Sequence, residues 1–148
     1  LTMTCSCSCG DDAAIRNVIS RTALTQDARD WEAHAACYAD DVEYIHPKGV
    51  VNGVEDVVAR SRAALTPLDE SQHLIGTMVV EIDGDAAEAV SYFQAQHVRA
   101  EAVPLGGAHF VIAGTYRDTL RRIDGTWRIV QRRQSYSWRE GNASVIVR

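Results

Sequence analysis

No apolar run in this 148-residue chain approaches the roughly 20 residues a bilayer-spanning helix needs, so a helical membrane protein is not expected. A basic excess is missing too. The formal charge is −5, which argues against a phosphate-binding surface and a nucleic-acid partner. The opening Leu1-Thr2-Met3-Thr4 has neither the basic start nor the apolar block of a signal peptide, and a cytoplasmic location is the expectation. Cysteine is scarce outside one stretch. Three of the four crowd into Cys5-Ser6-Cys7-Ser8-Cys9, a C-x-C-x-C spacing unlike the C-x₂-C pairs of structural zinc sites. That stretch reads as a tail over residues 1–10. Neither H-x-x-E nor H-E-x-x-H occurs, and no metal or other cofactor is expected.

What is present has the make-up of a globular domain. Apolar residues are 46% and charged residues 24% of the chain, enough for one core. A single domain over residues 11–142 is expected, followed by a tail over 143–148. Gly10-Asp11-Asp12 opens a helix whose apolar positions are Ile15, Val18 and Ile19, ending near residue 25. Asp30 caps a second helix from Trp31 to about Tyr38. Val42, Tyr44 and His46 mark a short strand, and Asn52-Gly53 turns the chain into a third helix that Pro67 stops.

From His73 onward long strands take over: 73–82, 87–99, 109–123 and 127–138. Turns at Asp83-Gly84-Asp85 and Asp124-Gly125 join two of the pairs. Helices first and antiparallel strands after predict an α+β fold, with three N-terminal helices on one face of a curved antiparallel or mixed sheet that encloses a pocket.

Two side chains stand out as candidate chemistry. Asp27 ends the first helix, and Asp30 is the more natural cap for the second, which leaves Asp27 without an obvious local duty. His73 opens a strand that is apolar on both faces and is therefore expected to be buried on both. A carboxylate on one ring nitrogen fixes the tautomer and leaves the other nitrogen as a general base. The alternatives are a helix-cap Asp and a histidine satisfied by a backbone carbonyl. Tyr44 and His46 share one face of the first strand, and Tyr92 lies in the second long strand with Gln94 and Gln96 on its face. Arg132 lies on the last strand with Gln134 and Tyr136. Each is a candidate to complete the pocket, set against a reading as a rim aromatic or a surface ion pair. His97 and His109 are strand residues whose face the sequence leaves open. The arginines from Arg117 to Arg133 read as a solvated strand face with internal ion pairs.

The segments Asp27-Ala28-Arg29-Asp30-Trp31, Tyr38-Ala39-Asp40-Asp41, Ser71-Gln72-His73-Leu74-Ile75-Gly76 and Arg122-Ile123-Asp124-Gly125-Thr126-Trp127-Arg128-Ile129 carry a resemblance. The chain resembles the SnoaL-like branch of the nuclear transport factor 2-like superfamily, over residues 12 to about 142. Within that branch it is similar to enzymes of the scytalone dehydratase, hexachlorocyclohexane dehydrochlorinase and bile acid 7α-dehydratase type.

The resemblance implies a cone-shaped α+β barrel and a His–Asp dyad made of His73 and Asp27. Tyr44 and Arg132 match positions of the dehydrochlorinase, and His46 falls near a catalytic tyrosine of scytalone dehydratase. Thr22 stands where the bile acid dehydratase has a tyrosine. Arg99 holds the place of scytalone dehydratase's second active-site histidine, with His97 two residues early.

The expected function is a cofactor-independent lyase or isomerase acting on a small apolar or aromatic molecule. The expected catalytic residues are His73, Asp27, Tyr44 and Arg132, with His46, Tyr92, Trp31 and His97 contacting substrate. A homodimer or homotrimer is expected. The alternative is a non-catalytic binding or accessory subunit, such as the small subunit of a ring-hydroxylating oxygenase. An open cone lined by His73 favours catalysis, and a filled one favours assembly.

Overall fold

A computed structural model describes residues 8–146. The reading of Cys5 and Cys7 lies outside them. Helix α1 (Ser8–Asp27) is followed by the short α2 (Trp31–Ala35), β1 (Tyr38–His46), β2 (Gly49–Asn52) and α3 (Val54–Leu65). Four long strands complete the chain: β3 (Glu70–Asp83), β4 (Ala86–Val98), β5 (His109–Ile123) and β6 (Thr126–Gly141). They form one six-stranded sheet in the order β2-β1-β6-β5-β4-β3. Only the β1–β6 pairing is parallel.

The inward stripe of α1 is Ile15, Val18, Ile19, Thr22 and Ala23, all buried. These side chains meet Val42, Ala87, Ala89, Leu120, Trp127 and Ile129 of the sheet. Asp11 anchors the start of the helix. Its carboxylate accepts two 2.9 Å bonds from the Arg122 guanidinium and one from the Trp127 indole N–H. As read, Asp30 caps α2 by accepting from the Ala33 amide at 3.1 Å, and Cys37 is buried. Tyr38, expected to end the second helix, opens β1 instead. It is 1% exposed in the core, and that burial outweighs helix propensity over so short a segment.

Two features depart from simple strand alternation. The β3–β4 register shifts between Gly76 and Val79, and Thr77 sits at φ 46. This bulge moves the inward positions from Ser71, His73 and Ile75 to Met78, Val80 and Ile82. β3 is also an edge strand. The expectation that it is buried on both faces is therefore corrected: Leu74 is 60% exposed.

The β5–β6 register also shifts, with the extra residue on β6, just before Gly114 of β5. A Cβ there would collide with the Ser135 carbonyl oxygen and press on the Phe93 ring. Gly114→Ala is expected to lower stability by about 1–3 kcal/mol, because the strand spacing has to widen. Urea unfolding measures this, and an unchanged midpoint would contradict the close approach.

Residues 143–146 pack against the domain. Ala143–Val145 form a 3-10 turn with Val145 fully buried. Arg99 donates to the Val145 carbonyl at 2.9 Å and to that of Ser144. Asn142 ties the same turn to the Ala102 and Gly107 carbonyls. No helix among the described residues is long and apolar enough to cross a membrane.

Candidate active site

α1 ends in a left-handed turn. The Asp30 amide donates to Thr25 O at 2.9 Å and the Arg29 amide to Gln26 O at 3.1 Å, with Arg29 at φ 59. This pair of bonds closes a helix where glycine is the usual residue. Arg29 takes that conformation and uses its side chain to bind the turn. Its Nη1 donates to the carbonyls of Gln26 and Asp27 and, at 2.7 Å, to Ser71 Oγ. The cation also offsets the unfavourable placing of an aspartate at a helix C-terminus.

The Asp27 carboxylate is thereby aimed at β3. Oδ2 accepts the His73 backbone N–H at 2.7 Å. Oδ1 accepts the Ser71 hydroxyl at 2.8 Å and lies 2.7 Å from His73 Nδ1. An ionised carboxylate only accepts, so Nδ1 carries a proton, and in the neutral ring the lone pair is on Nε2. The His73 side chain is 8% exposed and that of Asp27 19%. Burial raises the Asp27 carboxyl, but His73, its amide and Ser71 outweigh that and hold it below the usual carboxylate range.

His73 lines a cavity of about 210 Å³ between α3 and the inner faces of β1, β4, β5 and β6. Phe93, Ala95, Phe110 and Ile112 make its apolar wall. Tyr44, His46, His97, Tyr116, Gln134 and Tyr136 bring polar atoms. The His97 ring meets that of His73 edge-on, with centroids 5.7 Å apart, and its Nδ1 lies 3.1 Å from the Phe110 carbonyl. That carbonyl only accepts, so His97 also keeps a lone pair on Nε2. The Tyr44 hydroxyl donates to Gln134 Oε1 at 2.9 Å, and Tyr136 Oη pairs with His46 Nε2 at 2.9 Å.

Three of the residues expected at the site lie elsewhere. Tyr92 is 58% exposed and does not line the cavity. In β4 it is Ser91, Phe93, Ala95 and His97 that face inward, so strand alternation turns Tyr92 out. Trp31 lies outside the lining, against Arg62 and His34. Arg132 is 2% exposed but sits behind the wall. It makes a two-pronged ion pair with Asp118 at 2.7 and 2.8 Å, donates to Thr22 Oγ1 at 3.1 Å, and lies 4.1 Å over the Tyr116 ring. Of these partners only Tyr116 reaches the cavity, and Arg132 itself does not line it. Sequence reasoning missed Ser71, although it shares the His73 face two residues away. It also missed Arg29, for which no local pattern exists.

Burial pushes His34, His46 and His97 down to about 4, helped by Arg132 at His34, Arg60 at His46 and His73 at His97. The unfolded chain takes up these protons near pH 6.5 and the folded one only near 4. Stability therefore falls as pH drops through that window, by up to about 1.4 kcal/mol per pH unit for a fully buried ring. Asp27 has the opposite origin. Its contribution is present above about pH 3.8 and is lost as pH falls below that. Urea midpoints are expected to decline from pH 7 to 4 and to fall further below 4. A flat profile over the first interval would contradict neutral buried imidazoles.

Comparison with known proteins agrees with this architecture. A family model described as a SnoaL-like domain matches residues 8–133. Among curated proteins no significant match is found. Among solved structures the chain is similar to the Kfla4162 protein of Kribbella flavida, with 23% identity, 93% of this chain and 97% of that one covered, and a TM-score of 0.86. A scytalone dehydratase-like protein of Novosphingobium aromaticivorans gives 19% identity over 95% and 91% of the two chains, with a TM-score of 0.83. The hexachlorocyclohexane dehydrochlorinase LinA-type3 of Novosphingobium barchaimii gives 17% identity over 95% of each chain, with a TM-score of 0.78. At these identities the structural matches establish the fold, and the family match spans most of the sequence. The chain belongs to the SnoaL-like domain family of the nuclear transport factor 2-like superfamily.

Proposed function

We propose that this protein is a cofactor-independent lyase or isomerase in which His73 removes a proton from carbon of a small, largely apolar or aromatic substrate. The observation that carries this reading is the 2.7 Å contact between Asp27 and His73 Nδ1 on the wall of an open cavity. Asp27 holds the ring in the tautomer with its lone pair on Nε2 and stabilises the imidazolium that forms. The C–H electron pair then moves into the substrate. It expels halide from the adjacent carbon or a hydroxyl that takes the Nε2 proton and leaves as water, migrates as an enolate, or attacks a carbonyl in a ring closure. The proton on Nε2 returns to the product or to water.

Charge that develops on substrate oxygen needs a donor. Tyr44 spends its hydroxyl hydrogen on Gln134, which leaves the Gln134 amide NH₂ to donate beside it. Burial raises the Tyr44 phenol, so it stays protonated and keeps Gln134 oriented. His46 braces the same wall through Tyr136. His97, neutral at pH 7, offers an acceptor to a substrate hydroxyl. The working form in this reading is a homodimer or homotrimer, which sedimentation velocity reads directly.

Deuterium exchange tests the first step without knowledge of the natural substrate. Aryl ketones of cavity size, 2-tetralone and 1-indanone among them, are incubated in D₂O and followed by proton NMR. Exchange about 10²-fold or more above buffer is expected for a positioned base. Background exchange across the series would overturn the proposal.

A further inference from the structure

Among the described residues the cavity lining carries three cations and no carboxylate. Lys48 comes from the β1–β2 turn, Arg60 from α3 and Arg139 from β6. Among the described residues none of the three is ion-paired, so each charge is free to meet a ligand. In a chain of net charge −5, these three cations come from separate elements to one opening.

They also act on common ground. The Lys48 amide donates to His46 Nδ1 at 3.2 Å, His46 Nε2 meets Tyr136 Oη, and the Arg139 guanidinium lies 5.5 Å over the Tyr136 ring. Burial lowers His46, and the charges of Arg60 and Lys48 add to that. Their field thus reaches into the cavity, where low-dielectric walls concentrate it.

Polarity runs along the depth of the cavity. Lys48 and Arg139 are exposed and Arg60 is half-buried, while Phe93, Phe110, Ile112 and His97 are buried. We propose that the substrate is an amphiphile whose oxyanionic group, a carboxylate or a phosphate, is held at the mouth by Arg60 with Lys48 and Arg139. Its apolar or aromatic body then reaches inward to His73. The proposal rests on the cavity being the substrate site and deepens that reading by naming the substrate class. A guanidinium fork suits both anions, and it binds better half-buried than in open water.

Calorimetric titration with three probes of one body tests it: naphthalene-2-carboxylate, 2-naphthyl phosphate and neutral naphthalene-2-carboxamide. At low salt at least one anion is expected to bind about ten-fold tighter than the carboxamide, and the better anion identifies the group. Arg60→Gln is expected to remove most of that preference. The triple variant Arg60→Gln, Lys48→Gln, Arg139→Gln is expected to abolish it, with carboxamide affinity unchanged. Equal affinities, a preference that survives the triple variant, or no binding of any probe would overturn the proposal. Binding needs no base. A lost charge preference with intact deuterium exchange therefore rejects only the anionic substrate, and intact preference without exchange rejects only the proton-transfer reading.

Discussion

Asp27→Asn is expected to lower the rate of carbon deprotonation by about 10³–10⁴-fold while leaving the fold intact. Asparagine keeps one oxygen, which still accepts the His73 backbone N–H that Asp27 Oδ2 holds now. Its NH₂ takes the place of Oδ1 and donates towards His73 Nδ1. The ring must then carry its proton on Nε2, and no lone pair faces the cavity. His73→Ala removes the base itself and is expected to lose a comparable factor. The pair is informative because the two changes fail differently. The asparagine variant retains the imidazole, so nitrogen NMR should show the tautomer inverted. Exchange at wild-type rate in both variants would end the case for the dyad.

Arg132→Met is expected to destabilise the protein by about 3–5 kcal/mol. The guanidinium is 2% exposed and satisfies both oxygens of Asp118, whose side chain is 1% exposed. Removing it leaves the Asp118 carboxylate stranded in the core without its two hydrogen bonds. Burial works against the Arg132 charge, but the Asp118 carboxylate outweighs it and raises the group well above its ordinary range. The double variant Arg132→Met, Asp118→Leu is expected to recover much of the loss, because the stranded charge goes with its partner. A denaturant double-mutant cycle measures the coupling. Near-additive losses would mean that the two side chains stabilise the core separately.

The sequence carried these two cases unequally. Asp27 and His73 were legible because each was a polar group without a local task at the end of a strongly patterned element. The Asp30 cap and the apolar positions of α1 set the frame in which Asp27 was left over. Arg132 was legible as a candidate but not in its role. Its partner Asp118 lies on the neighbouring strand in register with it, and sequence spacing alone does not pair strands. Tyr92 failed for a related reason. A strand's period of two says which residues share a face and not which face is inside. The bulge at Thr77 was invisible as well, since β-branched threonine is a poor sequence marker for positive φ.

By itself the sequence determined the order and type of the long elements, the family and the two members of the Asp27–His73 pair. Those follow from local periodicity, turn chemistry and short motifs, which act over a few residues. Only the tertiary structure decided that Arg29 and Ser71 brace the dyad, that Arg132 lies behind the wall, and that Lys48, Arg60 and Arg139 meet at one opening. Strand register, bulges and the curl of the sheet bring together side chains separated by as many as 116 positions, as with Asp11 and Trp127. Contacts of that range are set by packing the whole core at once, so no local stretch of sequence encodes them.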